Sequence, residues 1–181
     1  MSNRTTVKNS TFKDLVNGDK HVHEAELLPL EKAIRAIQKT IEDNPEFEGT
    51  IAELAEYITD RPGREIVGVE KKLDNGGRQD LIEDAIYLKN KFERFIAKKQ
   101  LSLTEQNVYA HVLAAMETAF NQLVRPIIQE GRPASEVDAA VHKHILEPIY
   151  ASVVGFNASV NTSMVRGMLY FLTGKCHLLW V

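Results

Sequence analysis

Ser102-Leu103-Thr104-Glu105-Gln106-Asn107-Val108-Tyr109-Ala110-His111-Val112-Leu113-Ala114-Ala115-Met116-Glu117-Thr118-Ala119-Phe120 decides the fold. Ser102 with Glu105 three residues on is the capping-box pattern, in which each side chain satisfies the other residue's backbone N–H at a helix start. Tyr109, Leu113, Met116, Phe120, Leu123 and Ile127 then alternate steps of four and three, with Val108, Val112, Ala115, Ala119 and Val124 beside them. Such a helix is apolar around most of its circumference and belongs at the centre of a helical assembly. Pro126 is expected to kink or end it, and Gly131-Arg132-Pro133 to break it.

Helical spacing extends in both directions from this segment. Upstream, Leu30, Ile34, Ile37 and Ile41 form a stripe that Asn44-Pro45 closes; Phe47, Ile51, Leu54, Ala55 and Ile58 form a second, ended by Arg61-Pro62-Gly63. Ile66 to Leu73 has room for two turns before Asn75-Gly76-Gly77. Leu81, Ala85, Leu88, Phe92 and Phe95, widened by Ile82, Ile86 and Ile96, predict a long helix with a broad buried face. Downstream, Ser135 with Asp138 is expected to cap a helix that turns Val137, Val141, Ile145 and Ile149 inward. Asn161 or Thr162 starts a last helix over Met164, Val165, Met168, Leu169 and Leu172, with Gly174 expected as its left-handed closing residue.

The two ends differ from this pattern. Residues 1–26 are rich in Ser, Thr, Asn and β-branched residues, with Asn17-Gly18-Asp19 as turn chemistry, and predict an extended or β-forming arm. Two short strands are marginal alone, so the arm is expected to pack on the body or pair with copies of itself. After Glu147 the chain carries no acid and only two cations, Arg166 and Lys175, and it finishes in Cys176-His177-Leu178-Leu179-Trp180-Val181. An exposed run of that kind would be adhesive, so the tail is expected to lie extended against a core or another subunit. The expected fold is therefore all-α: a bundle of about six to seven helices over residues 27–181, with an extended arm and an extended tail.

Composition narrows the function. The 44% apolar and 26% charged content of the 181 residues is that of a soluble chain, and no apolar stretch approaches the ~20 residues needed to cross a bilayer. Lacking an apolar signal core, the chain reads as cytoplasmic. With 22 basic and 25 acidic residues, the net charge of −3 gives no general pull toward nucleic acid. Charge is uneven, however. Glu42 to Asp60 holds seven acids and no Lys or Arg, and Arg78 to Lys99 six cations against four acids.

Residues that could carry chemistry are few. His21 and His23 would share one side of a strand, but two ligands do not complete a metal site. His142 and His144 point about 200° apart on a helix, so they cannot chelate one ion. Cys176 and His177 are adjacent, and neighbours in extended chain face opposite ways, which argues against a nucleophile–base pair. Gly63-Arg64-Glu65-Ile66-Val67-Gly68 and Gly76-Gly77-Arg78 lack the terminal Gly-Lys-Ser/Thr of a phosphate-binding loop. No cofactor or metal is expected, and no enzymatic activity.

Three stretches carry a resemblance: Val16-Asn17-Gly18-Asp19-Lys20; Gly68-Val69-Glu70-Lys71-Lys72-Leu73 leading into Gly76-Gly77-Arg78-Gln79-Asp80-Leu81-Ile82; and Gly167-Met168-Leu169-Tyr170-Phe171-Leu172-Thr173-Gly174-Lys175-Cys176-His177-Leu178-Leu179-Trp180. In these the chain resembles the C-terminal domain of proteins in prokaryotic ABC-three-component conflict systems, where an SMC-like or ABC-type ATPase acts with an effector and a small middle component. The family's domain usually follows a toxic effector, whereas here only the polar arm precedes it. The resemblance thus implies a self-associating adaptor of an antiphage complex that recruits or regulates an ATPase and an effector. Its expected contacts are Asn17, Gly18, Asp19 and Lys20 in the arm and Cys176, His177, Leu178, Leu179 and Trp180 in the tail. The alternative is a nucleic-acid-binding accessory subunit using Arg61, Arg64, Arg78, Lys89, Lys91, Arg94, Lys98 and Lys99.

Overall fold

Leu103 opens the longest helix because Ser102 and Glu105 cap it as their spacing predicts: the Ser102 hydroxyl accepts from the Glu105 N–H, and the Glu105 carboxylate accepts from the Ser102 N–H at 3.1 Å. The computed structural model describes residues 30–35, 37, 51–98, 101–157 and 159–181, and every regular element in them is helical. The fold class is all-α, as the periodicity requires. Residues 30–35 and 37 are helical, with Ile34 buried, where the first stripe was expected. Then come α1 (Ala52–Ile58), α2 (Gly68–Asn75), a single tighter turn (Gln79–Leu81) and α3 (Ile82–Lys98). The arm at residues 1–26 lies outside the described residues.

The chain after Ser102 forms three further helices, two of them carrying a wide turn. Helix α4 runs from Leu103–Ala119 through a π-turn at Phe120–Val124 into Arg125–Gln129; α5 runs from Ala134–Val141 through a π-turn at His142–Leu146 into Glu147–Val153. In each, the residue before a proline reaches back five positions: the Arg125 N–H to the Phe120 carbonyl, and the Glu147 N–H to the His142 carbonyl. A proline has no N–H to donate and its ring crowds the carbonyl four residues back, so widening the turn keeps the helix going across Pro126 and Pro148. Pro126 therefore does not end α4. The π-turn also corrects the buried stripe: Val124 follows Phe120 into the core, while Leu123, expected there, is 39% exposed.

Two expected helix ends are also corrected. Pro133 precedes α5 with no side-chain cap; Asp138, instead of pairing with Ser135, accepts from Arg78 at 2.8 Å. The last helix, α6 (Thr162–Gly174), starts as expected at Asn161, whose side chain accepts from the Met164 N–H, but Gly174 is its final helical residue. Cys176 takes the left-handed conformation (φ 65°), with the His177 N–H on the Leu172 carbonyl at 2.9 Å and the Cys176 N–H on the Thr173 carbonyl at 3.2 Å. That pair of bonds is the Schellman closure, here with a non-glycine residue at the turn.

Helix α6 is the centre of the molecule, together with α4. From Gly167 to Gly174 every residue of α6 is buried, and its most extensive partner is α3. The approach is close because Gly167 lacks a side chain: a Cβ there would lie 2.7 Å from the Leu88 carbonyl oxygen and 3.2 Å from the Phe92 Cβ. Phe92 meets Phe171 and Tyr109 edge to face, locking α3, α4 and α6 together. Among the described residues no helix is long and apolar enough to cross a membrane.

Candidate functional site

The C-terminal tail collects several of the long-range polar contacts. Helix α6 ends inside the protein, so its last carbonyls need donors that water cannot supply. The Leu172 and Thr173 carbonyls take the nearby His177 and Cys176 N–H groups, and further donors to the helix end and the tail come from far back in the chain. The Arg64 guanidinium Nη1 donates to the Cys176 carbonyl at 2.7 Å and the His177 carbonyl at 2.9 Å; the Arg61 N–H donates to the Lys175 carbonyl at 3.0 Å. The Lys72 ammonium, itself buried, donates to the Thr173 carbonyl. Cations at a helix C-terminus also oppose its negative dipole end. Loop and α2 thus clamp the tail electrostatically.

Apolar packing completes the clamp. Leu178 is fully buried and Trp180 is 3% exposed. The Trp180 indole N–H donates to the Thr173 hydroxyl at 3.0 Å, which in turn donates to the Leu169 carbonyl, and its ring meets Phe120 at 5.2 Å. Gly76 admits the chain: a Cβ there would lie 2.5 Å from the Trp180 carbonyl oxygen. Of the tail residues singled out from sequence, Cys176, His177, Leu178 and Trp180 are all committed to this domain's own core, and Leu179 is half-buried. Asn17, Gly18, Asp19 and Lys20 lie outside the described residues.

Beside the clamp is a cluster of ionisable groups. Tyr57 from α1, Arg61 from the following loop, Glu117 from α4 and His177 from the tail converge, with Arg64 beside them on the tail carbonyls. Arg61 is ion-paired to Glu117, whose other oxygen lies 3.8 Å from the His177 Nδ1. The His177 ring packs on Tyr57 at 5.1 Å. Burial pushes the His177 imidazole below its ordinary pKa, against the pull of the Glu117 carboxylate. Burial, and then the Glu117 charge, push the Tyr57 phenol up. Arg64 is lowered by burial and then by the nearby Arg61 and Arg125 guanidinium groups. Cys176 faces elsewhere: its thiol points at the Glu65 carbonyl, 3.4 Å away, so it and His177 serve different neighbours.

Two of the remaining basic residues are held by carboxylates. Arg78 is buried and holds Asp80 and Asp138, at 3.2 and 2.8 Å, tying the start of α3 to α5. Burial works against its charge, but those two hydrogen bonds outweigh it and hold its pKa above the ordinary guanidinium value. Lys89 pairs with Glu93 and lies across Gly174. Lys91 and Arg94 sit on α3; the Lys98 side chain and Lys99 lie outside the described residues. His21 and His23 do as well, and among the described residues no group of His, Cys, Asp and Glu is placed to hold a metal ion.

Sequence reading marked Arg61, Arg64 and His177 but missed Tyr57, Lys72 and Glu117. Their contacts join positions more than fifty residues apart, so no local spacing announces them. Comparison with known proteins gives one match. A family model described as C-terminal domain 9 of the ABC-three component systems covers residues 68–180. No curated protein and no solved structure matches the chain. The matched segment runs from the first residue of α2 to Trp180, so it takes in α2 to α6 and the docked tail.

Proposed function

The chain belongs to the C-terminal domain 9 family of the ABC-three component systems, and from that premise we propose that it is a non-catalytic assembly subunit of an antiphage defence complex. In this reading it self-associates and recruits or regulates the ATPase and effector of the same system. The family match over residues 68–180 carries the proposal, since a domain of a multi-component system works through partners. The tail supports the non-catalytic part: Cys176 and His177, the adjacent pair that invites a catalytic reading, are both structural elements of the clamp. Partner contact then falls to surfaces the fold leaves open. Ile66, 67% exposed, and Tyr87, 61% exposed, are the most exposed large apolar residues among those described.

Co-expression with an ATPase and an effector of the same system, followed by size-exclusion chromatography with light scattering, tests the reading. A co-eluting complex, with the isolated chain larger than a monomer and showing no turnover of nucleotides, peptides or nucleic acids, is the expected result. A chain that stays monomeric at micromolar concentration and binds neither component would refute the assembly role.

A further inference from the structure

One face of α3 carries charges in an order that matches itself. Steps of four, three and four place Glu83, Tyr87, Asn90 and Arg94 on one stripe of the helix, opposite the buried Ala85, Leu88 and Phe92. Glu83, Tyr87 and Arg94 are exposed, Tyr87 at 61%, and none of the three makes a hydrogen bond, ion pair or ring contact among the described residues. A cleft of about 370 Å³ lined by Val67, Val69 and Ile86 adjoins the stripe, and Ile66, the residue before Val67, is 67% exposed. Glu83 and Arg94 lie equally far from the midpoint between Tyr87 and Asn90. A second α3 laid antiparallel about that midpoint therefore sets Glu83 against Arg94 of the second copy and Tyr87 against its Asn90, and the two-fold repeats both pairs. The helix dipole alone favours an acid early and a base late. It gives no reason for the two to be matched about an exposed ring on the same stripe.

We propose that this face of α3 is a two-fold interface between copies of the chain, with the two helices packed antiparallel. Two Glu83–Arg94 ion pairs flank two tyrosine rings near the axis, and Ile66 lies toward the edge. A single helix pair buries less than a standard interface, so the dimer is a reversible one of micromolar strength. The inference rests on the self-association in the assembly reading and names the surface that carries it.

Sedimentation velocity of the full chain across micromolar concentrations tests it. The wild type is expected to populate a dimer. Glu83→Arg and Arg94→Glu each set like charges face to face and should raise the dissociation constant about tenfold or more. Mixed together, the two variants should regain the wild-type affinity as a heterodimer, and so should the chain that carries both changes. Unchanged Trp180 emission in each variant shows that the fold is kept. A monomeric wild type, a dimer that neither single reversal weakens, or a mixture that stays dissociated would each overturn the proposal. A wild-type monomer that still co-elutes with the ATPase or effector would remove this interface and leave the assembly reading standing. Loss of that co-elution in Arg94→Glu with dimerisation intact would give the face to the other component, and that too overturns the proposal.

Discussion

His177 shows how one side chain in the tail links pH to the stability of the domain. It is 5% exposed, packed on Tyr57, and its pKa is lowered from 6.5 by burial; the groups facing it are Tyr57, Glu117, Arg61 and the backbones of Glu56 and Thr59. Above pH 6.5 the imidazole is neutral in both the folded and the unfolded chain, so it adds no penalty. As pH falls below 6.5 the unfolded chain takes up a proton that the folded one resists, and stability drops until the folded-state pKa is passed. Urea denaturation across this range should therefore show the wild type losing stability on acidification more steeply than His177→Asn. Identical slopes would mean that His177 is not held neutral. Proton uptake at this one residue loosens the element that closes the domain.

Between elements, the decisive contacts are close backbone approaches. Gly167→Ala should destabilise the protein by about 1–3 kcal/mol in chemical denaturation, because its Cβ would enter the α3 backbone at Leu88 and overpacking outweighs the better helix propensity of Ala. Gly155→Ala, where a Cβ meets nothing within 4 Å, should be neutral or slightly stabilising and serves as the control. The helices themselves were legible: the Ser102–Glu105 box, the Asn161 cap and the apolar stripes of α3 and α6 are all local patterns. The π-turns had a signal that went unread. Val137, Val141, Ile145 and Ile149 recur every four residues, a spacing that drifts around an α-helix unless a wider turn resets it, and all four are buried. Leu123 was misplaced for the same reason. Ser135 and Gly174 followed sound capping rules, but Arg78 claimed Asp138 and the chain reversed two residues later, at Cys176. Part of the candidate site was visible as charge, in Arg61 and Arg64; Glu117 and Lys72 become partners only once the chain has folded.

On the scale of the whole molecule, the family-matched segment holds most of the buried core, which Ile34, Ile51 and Leu54 extend from outside it: the segment begins at α2, whose Lys72 holds the end of α6, and finishes at Trp180, which rests against Gly76. Docking of the tail onto its own domain is the claim on which both the clamp and the assignment of partner contacts to other surfaces depend. Trp180 is the chain's only tryptophan, so its fluorescence reports on that docking without interference. The structure requires a blue-shifted emission, poorly quenched by acrylamide and unchanged when the protein is diluted, because the indole is buried against Phe120 and bonded to Thr173 within one chain. A red-shifted, readily quenched spectrum would show a free tail, and a shift to the red on dilution would show that a second copy covers it; either result would contradict the account.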